Sequence, residues 1–294
     1  MSQLPTSMPA TLAAGTALGV VSLAVSDLTR SRAFYEGALG LRAREVEGGG
    51  LAFGVPGAGD LVRLHAATRA SGLDRRATGL YHLAILFPSR LDLAHALARL
   101  AQARWSLDGV ADHLVSEALY LSDPDGHGIE LYRDRPREAW SYADGQLQMA
   151  SLPLDLRSLS DELSGAGEQQ PSVPAGTTMG HVHLQVADIG DAEAFYHGVL
   201  GFDVTTRGYP GALFVSAGGY HHHLGLNTWH SAGSRPAAPG SVGLRSYEVV
   251  LPDRAELDRV VDRIRDAGLE LESDTAEHAA VADPSGNLVI LRCR

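Results

Sequence analysis

Cysteine is almost absent from this 294-residue chain: its single cysteine, Cys293, stands beside the C-terminus. A lone cysteine excludes an intrachain disulfide framework and a cysteine-rich zinc site, and it fits a reducing cytoplasm. Positive charge is also scarce. Lys plus Arg number 24 against 35 Asp plus Glu, a formal charge of −11, which argues against nucleic acid or an anionic membrane as a partner. No apolar run reaches the ~20 residues that a membrane-spanning helix needs. The opening stretch SQLPTSMPATLAAG lacks a basic start, so residues 1–16 read as a flexible tail and not as a targeting segment. No glycine motif for a nucleotide cofactor appears; the glycines fall at strand ends and turns. What is present, 45% apolar and 20% charged residues, is the composition of a globular protein with room for two domains.

The chain repeats itself, and the repeat sets the expected architecture. GVVSLAVSDLTRSRAFYEGALGL, from Gly19, and GHVHLQVADIGDAEAFYHGVLGF, from Gly180, align without a gap and agree at about half their positions. Each opens with an alternating strand, Val20 to Val25 or His181 to Val186. Asp27 or Asp188 then suits a helix N-cap, and Gly40 or Gly201 a helix stop. Each half contains a second, weaker unit: GLYHLAILFPSRLDLAHALARL from Gly79 and GLRSYEVVLPDRAELDRVVDRI from Gly243. These later reach an Asp-Pro-x-Gly turn, Asp123 to Gly126 and Asp283 to Gly286. A strand, a helix and further strands therefore occur four times, as units 1a, 1b, 2a and 2b. The expected modules are residues 17–139 and 179–294, joined by a Ser-, Gly-, Pro- and Gln-rich linker over 140–178.

The strand exit, the Phe-Tyr helix with its Leu-Gly stop and the Asp-Pro-x-Gly turn resemble the vicinal-oxygen-chelate superfamily, which includes glyoxalases, bleomycin-resistance proteins and extradiol dioxygenases. The resemblance covers nearly the whole chain outside tail and linker. It implies an α+β fold of tandem βαβββ units that curl into cup-shaped half-barrels around a divalent metal. It also implies that first-strand and last-strand positions of the units face that metal. Val20 in 1a cannot ligate, and 2b offers only Ser246 and Ile290. His82 and Glu130 in 1b and His181 in 2a remain, a two-histidine, one-carboxylate set that suits non-haem Fe(II). These three meet only if 1b shares a cup with 2a, leaving 1a and 2b to form a cup without ligands. The pairing takes place within one chain or by exchange between two.

DHLVSEALYLSDPDGHGIELY, from Asp112 to Tyr132, resembles the extradiol dioxygenase motif, with Ala111 departing from its usual pattern. The resemblance implies that Glu130 ligates and that His113 and Tyr120 hydrogen-bond the substrate and the oxygen species. It further implies an acid–base histidine on the last strand of unit 2a, within GGYHHHLGLNTW. Strand alternation sends His222 to one face and His221 and His223 to the other. The extradiol context favours His222, whereas alignment to the glyoxalase-type metal position favours His223. His183, two residues after His181, shares its face and is expected to touch substrate. The implied function is Fe(II)-dependent extradiol cleavage of a small aromatic diol, with Mn(II) an alternative metal and O2 the co-substrate. Catechol-2,3-dioxygenase-like two-module proteins are the nearest group. Competing readings are a hydroquinone ring-cleaving dioxygenase, a glyoxalase-like lyase or isomerase, and a non-catalytic binding protein. Neither a nucleic acid nor a membrane is expected as partner, and a homo-oligomer stays open.

Overall fold

A computed structural model describes residues 11–57, 59–69, 71–143, 145–165 and 172–294. Residues 1–10 of the expected tail lie outside the described residues, whereas Leu12 is buried and its N–H donates to the Gly201 carbonyl. Unit 1a comprises β1 (Ala17–Val25), α1 (Leu28–Gly37), β2 (Arg42–Val46), β3 (Gly50–Gly54) and β4 (Asp60–Ala66). Unit 1b comprises β5 (Gly79–Leu86), α2 (Arg90–Gln102), β6 (Gly109–Asp112), β7 (Ser116–Ser122) and β8 (Gly128–Asp134). The connecting stretch holds a small hairpin, β9 (Tyr142–Ala143) and β10 (Gln146–Leu147), and α3 (Leu156–Asp161). Unit 2a follows as β11 (Thr178–Gln185), α4 (Ile189–Glu193), β12 (Asp203–Thr206), β13 (Ala212–Ser216) and β14 (Leu224–Asn227). Unit 2b closes the chain with β15 (Gly243–Leu251), α5 (Arg254–Asp266), β16 (Ser273–Asp274), β17 (His278–Ala282) and β18 (Leu288–Cys293).

The units pair across the halves, within one chain. One eight-stranded sheet runs β12-β13-β14-β11-β5-β8-β7-β6, joining 2a to 1b. The other runs β16-β17-β18-β15-β1-β4-β3-β2, joining 2b to 1a. At the seam of each sheet the first strands of two units lie antiparallel, β11 on β5 and β1 on β15.

The sequence signatures have physical jobs. Asp27 and Asp188 cap their helices by accepting backbone N–H groups of the first turn, as capping residues do. Gly40 and Gly201 adopt φ of 78° and 94°, a conformation that costs a glycine little. The Phe-Tyr helix and the Asp-Pro-x-Gly turn are partners. The Tyr35 hydroxyl donates to Asp123 Oδ2 at 3.2 Å, and that of Tyr196 to Asp283 Oδ2 at 2.8 Å. Tyr35 lies on α1 of unit 1a and Asp123 in the turn between β7 and β8 of unit 1b, so this buried bond ties the two units of the first half together, as the Tyr196–Asp283 bond does in the second. The same Asp side chains fold their own turns: Asp123 Oδ1 accepts from the N–H groups of Asp125 and His127.

The stretch read as a linker is anchored. Trp140, Leu147, Leu154, Leu159 and Val173 are buried. Trp140 and Leu147 cluster with Val115 of 1b, and Leu152 bridges to Asp112.

Candidate metal centre and its cavity

Three strands bring the expected ligands together. Across the sheet, Ala84 of β5 is the register partner of both His181 on β11 and Glu130 on β8. The three residues therefore point to one face, with the smallest side chain in the middle. His82, two positions before Ala84, pairs with His183 on β11 and with Gly128 on β8. His82, Glu130 and His181 each offer one ligating atom, all within 4.8 Å of one another, and all three are buried. Both imidazoles aim Nε2 at the same carboxylate oxygen, Glu130 Oε2, at 3.1 Å for His82 and 3.0 Å for His181.

The donor set fits a divalent cation. Although close to Glu130, the buried His82 Nε2 has no aligned hydrogen bond, an unpartnered nitrogen that a metal would satisfy. Burial lowers the His181 imidazole to about 4, against the pull of Glu130, so this ring keeps a free lone pair at neutral pH. Burial by itself would raise Glu130, but the imidazoles of His181 and His82 hold it well below the usual carboxylate range. Unprotonated imidazole beside an ionised carboxylate is the state a metal requires. This is the sole group of this kind among the described residues. In the other cup, Ser246 and Ile290 line a hollow with Arg63, His65, Arg245, Glu248, Glu277, His278 and Arg292.

Beside the cluster opens a cavity of about 470 Å³, and the expected residues Tyr120, His113, His183 and His222 line it. Tyr120 shares the Glu130 row on β7. The His113 ring bridges Tyr120 Oη, 2.7 Å from Nε2, and the Ala150 carbonyl, 2.7 Å from Nδ1. A carbonyl only accepts, so Nδ1 carries the proton and the Tyr120 hydroxyl donates to Nε2. His183 is held well below its usual pKa by burial and by the imidazoles of His82 and His181. Gly225 makes room for it: a Cβ there would meet the His183 ring at 2.8 Å.

The histidine triplet departs from the expected alternation. The three residues lie in the turn before β14, whose ladder begins at Leu224, so they are not on a strand. Freed from alternation, His221 and His222 are not on opposite faces; their Nδ1 atoms lie 2.8 Å apart. His222 reaches the cavity, with its ring centroid 4.2 Å from that of His181. His223, the alternative, does not line the cavity. Its Nδ1 accepts the Ala217 N–H at 3.2 Å and sits 3.0 Å from the Ser216 hydroxyl, which turns the ring towards the β13 end of the turn.

Other lining residues carry no signal in the sequence. Tyr81 follows no alternation because it is the extra residue of a bulge: His183 pairs with His82, but Leu184 pairs with Leu80. Gly180 is the extra residue of a second bulge, and a Cβ there would collide with the Tyr132 hydroxyl at 1.8 Å. Phe214, Tyr209 and Trp229 complete an aromatic wall with Tyr81, and Met149 comes from the stretch between the modules.

Comparison with known proteins agrees with this architecture. The model of the glyoxalase/bleomycin resistance protein/dioxygenase superfamily matches residues 17–131 and 178–291. A Bacillus subtilis (strain 168) protein named catechol-2,3-dioxygenase is 43% identical over 273 residues, covering 92% of this chain and 94% of that protein. Among solved structures, glyoxalase I from Zea mays superposes with a TM-score of 0.57 at 16% identity, covering 95% of this chain and 92% of that one. The CppA protein of Streptococcus pneumoniae TIGR4 gives 0.55 at 13% identity, covering 94% and 97%. At such identities these two show the shared fold alone. Two matched modules and the close relative together establish that the chain belongs to the glyoxalase/bleomycin resistance protein/dioxygenase superfamily.

Proposed function

We propose that this protein is an Fe(II)-dependent extradiol dioxygenase that opens a catechol-type ring beside its diol with O2. The observation that carries the proposal is a donor set of three among the described residues, His82, His181 and Glu130, on the wall of a cavity also lined by Tyr120, His113 and His222. The name of the Bacillus subtilis relative supports the same reaction. Bound by those three residues, Fe(II) would supply a Lewis acid for the diol and an electron route between ring and dioxygen.

The chain's own groups do the rest. Tyr120 Oη donates to His113, so its oxygen is left to accept a hydrogen bond from a diol hydroxyl. The unpartnered His183 Nε2 is a further contact for the substrate. Tyr81, Phe214 and Trp229 offer flat faces and edges to an aromatic ring. A cavity of about 470 Å³ suits a single small aromatic molecule. Burial, with the neighbouring His181 and His221, holds His222 well below its usual pKa, so the ring is neutral and one of its nitrogens keeps a lone pair. A glyoxalase-like lyase would call on a fourth protein donor, and His223 is committed to Ala217 and Ser216.

The test is anaerobic loading with Fe(II), followed by oxygen uptake and product analysis over a panel of catechols and hydroquinones. Oxygen consumption with ring-opened semialdehyde from ortho-diols is expected. Uptake with para-diols alone would replace the reading by hydroquinone cleavage, and turnover without oxygen by a lyase or isomerase.

A further inference from the structure

We propose that Asp134 and His221 are positioning residues that form a hydrogen-bonded chain behind His222 and fix which of its ring nitrogens faces the substrate. The inference rests on the reading of His222 as the proton-handling group of the cavity. Strand β8 carries Glu130 to the metal cluster and, four residues on and on the same face, Asp134 to the far end of the chain. Asp134 Oδ1 lies 2.9 Å from His221 Nε2, and His221 Nδ1 lies 2.8 Å from His222 Nδ1. His221 is fully buried, packed between Tyr220 at 4.1 Å and Trp140 at 5.5 Å between ring centroids. The ring is therefore out of contact with solvent.

Hydrogen-bond logic assigns the protons of a chain of two neutral imidazoles. A carboxylate only accepts, so His221 Nε2 carries hydrogen and donates to Asp134. In a neutral His221 ring, Nδ1 is then a lone pair. The 2.8 Å contact between the two Nδ1 atoms requires one donor, so the hydrogen sits on His222 Nδ1. His222 Nε2 is left as a lone pair for the cavity, the state a proton acceptor needs. Without the chain an imidazole is free to place its proton on Nε2 and to present a donor to the diol. Asp134 and His221 do not line the cavity and are not among the three donors; the His221 ring lies edge to face with that of His181, 6.0 Å between centroids, and its hydrogen bonds run to Asp134 and His222.

The experiment is a long-range proton–nitrogen correlation spectrum of the full-length, metal-free protein labelled with 15N-histidine. The expected pattern is Nε2–H for His221 and Nδ1–H for His222. His221→Leu and Asp134→Ala should release His222 to the Nε2–H form. His221→Gln, whose side-chain oxygen still accepts from His222 Nδ1–H, should keep it. In Fe(II)-loaded enzyme, His221→Leu should lower kcat at least tenfold with KM for the diol and bound iron unchanged, and His221→Gln should restore much of it. Nε2–H on His222 in the unmodified protein overturns the proposal whatever the activity. So does an unchanged His222 spectrum in both His221→Leu and Asp134→Ala. The expected spectra with no oxygen uptake on any diol would support the chain while removing the dioxygenase reading.

Discussion

His181 and Glu130 lie 51 positions apart in sequence and on strands that are not neighbours, yet their side-chain atoms meet at 3.0 Å. Strand β5 runs between them, and Ala84, their common register partner, is fully buried in the gap. Two candidate donors can converge across a third strand because the side chain between them is only a methyl group.

Ala84→Leu should therefore cost metal without touching a ligand. Overpacking at such a site costs about 1–3 kcal/mol, and the added branch would part His181 from Glu130. The expected result is a folded protein with markedly lower iron content by elemental analysis; unchanged iron would show that the gap is not limiting.

Removal of a ligand should act more sharply. His82→Ala, His181→Ala and Glu130→Gln should each lose bound iron while far-UV circular dichroism stays the same. Ser246→Ala, in the opposite cup, should retain iron in full. Iron loss there would contradict a single centre.

The Tyr35–Asp123 bond predicts a purely structural effect. Tyr35→Phe removes one buried donor, worth roughly 1–2 kcal/mol, with metal content and turnover preserved. Tyr196→Phe should cost more, because Tyr196 Oη donates to Asp283 and also accepts from Tyr247 at 2.9 Å. Denaturant melts rank the two, and equal losses would argue that the Tyr247 bond contributes nothing.

His223 links stability to pH. Burial, helped by the neighbouring His221, lowers it from 6.5 to about 3. Between these values the unfolded chain binds a proton that the folded protein refuses, so stability is complete above pH 6.5 and falls as pH drops towards 3. The loss is of order a few kcal/mol. His223→Asn keeps an acceptor for the Ala217 N–H but does not titrate, so its stability should depend less steeply on pH in that window. Parallel curves for the two proteins would show that His223 titrates normally.

Much of the site was legible because its residues come with local signatures. Glu130 and Tyr120 sit in a motif-like stretch around the Asp-Pro-x-Gly turn, and His181 opens a repeat whose counterpart has Val20. The geometry that the sequence does not show depends on irregularities that periodicity does not register. Tyr81 faces the cavity through a bulge, His221 and His222 meet in a turn where alternation predicts a strand, and Asp134 reaches His221 from a distant strand. Met149, Trp140 and Leu147 belong to a stretch with no apolar period, although three-dimensional packing buries two of them.

The fourfold repeat, the capping aspartates and the set of residue types able to hold a cation are local properties, and the chain's composition and order were enough to define them. Pairing 1b with 2a is an inference that those ligands allowed. How the units meet depends on the reach of the connecting segments and on which sheet edges pair, and in the tertiary structure 1b and 2a share one sheet of the same chain. Tertiary structure alone also places His222, and not His223, on the cavity wall. Both are histidines in the same turn, and the distinction between them lies in partners from elsewhere: Ala217 and Ser216 bind one, while His221, backed by Asp134, directs the other into the cavity.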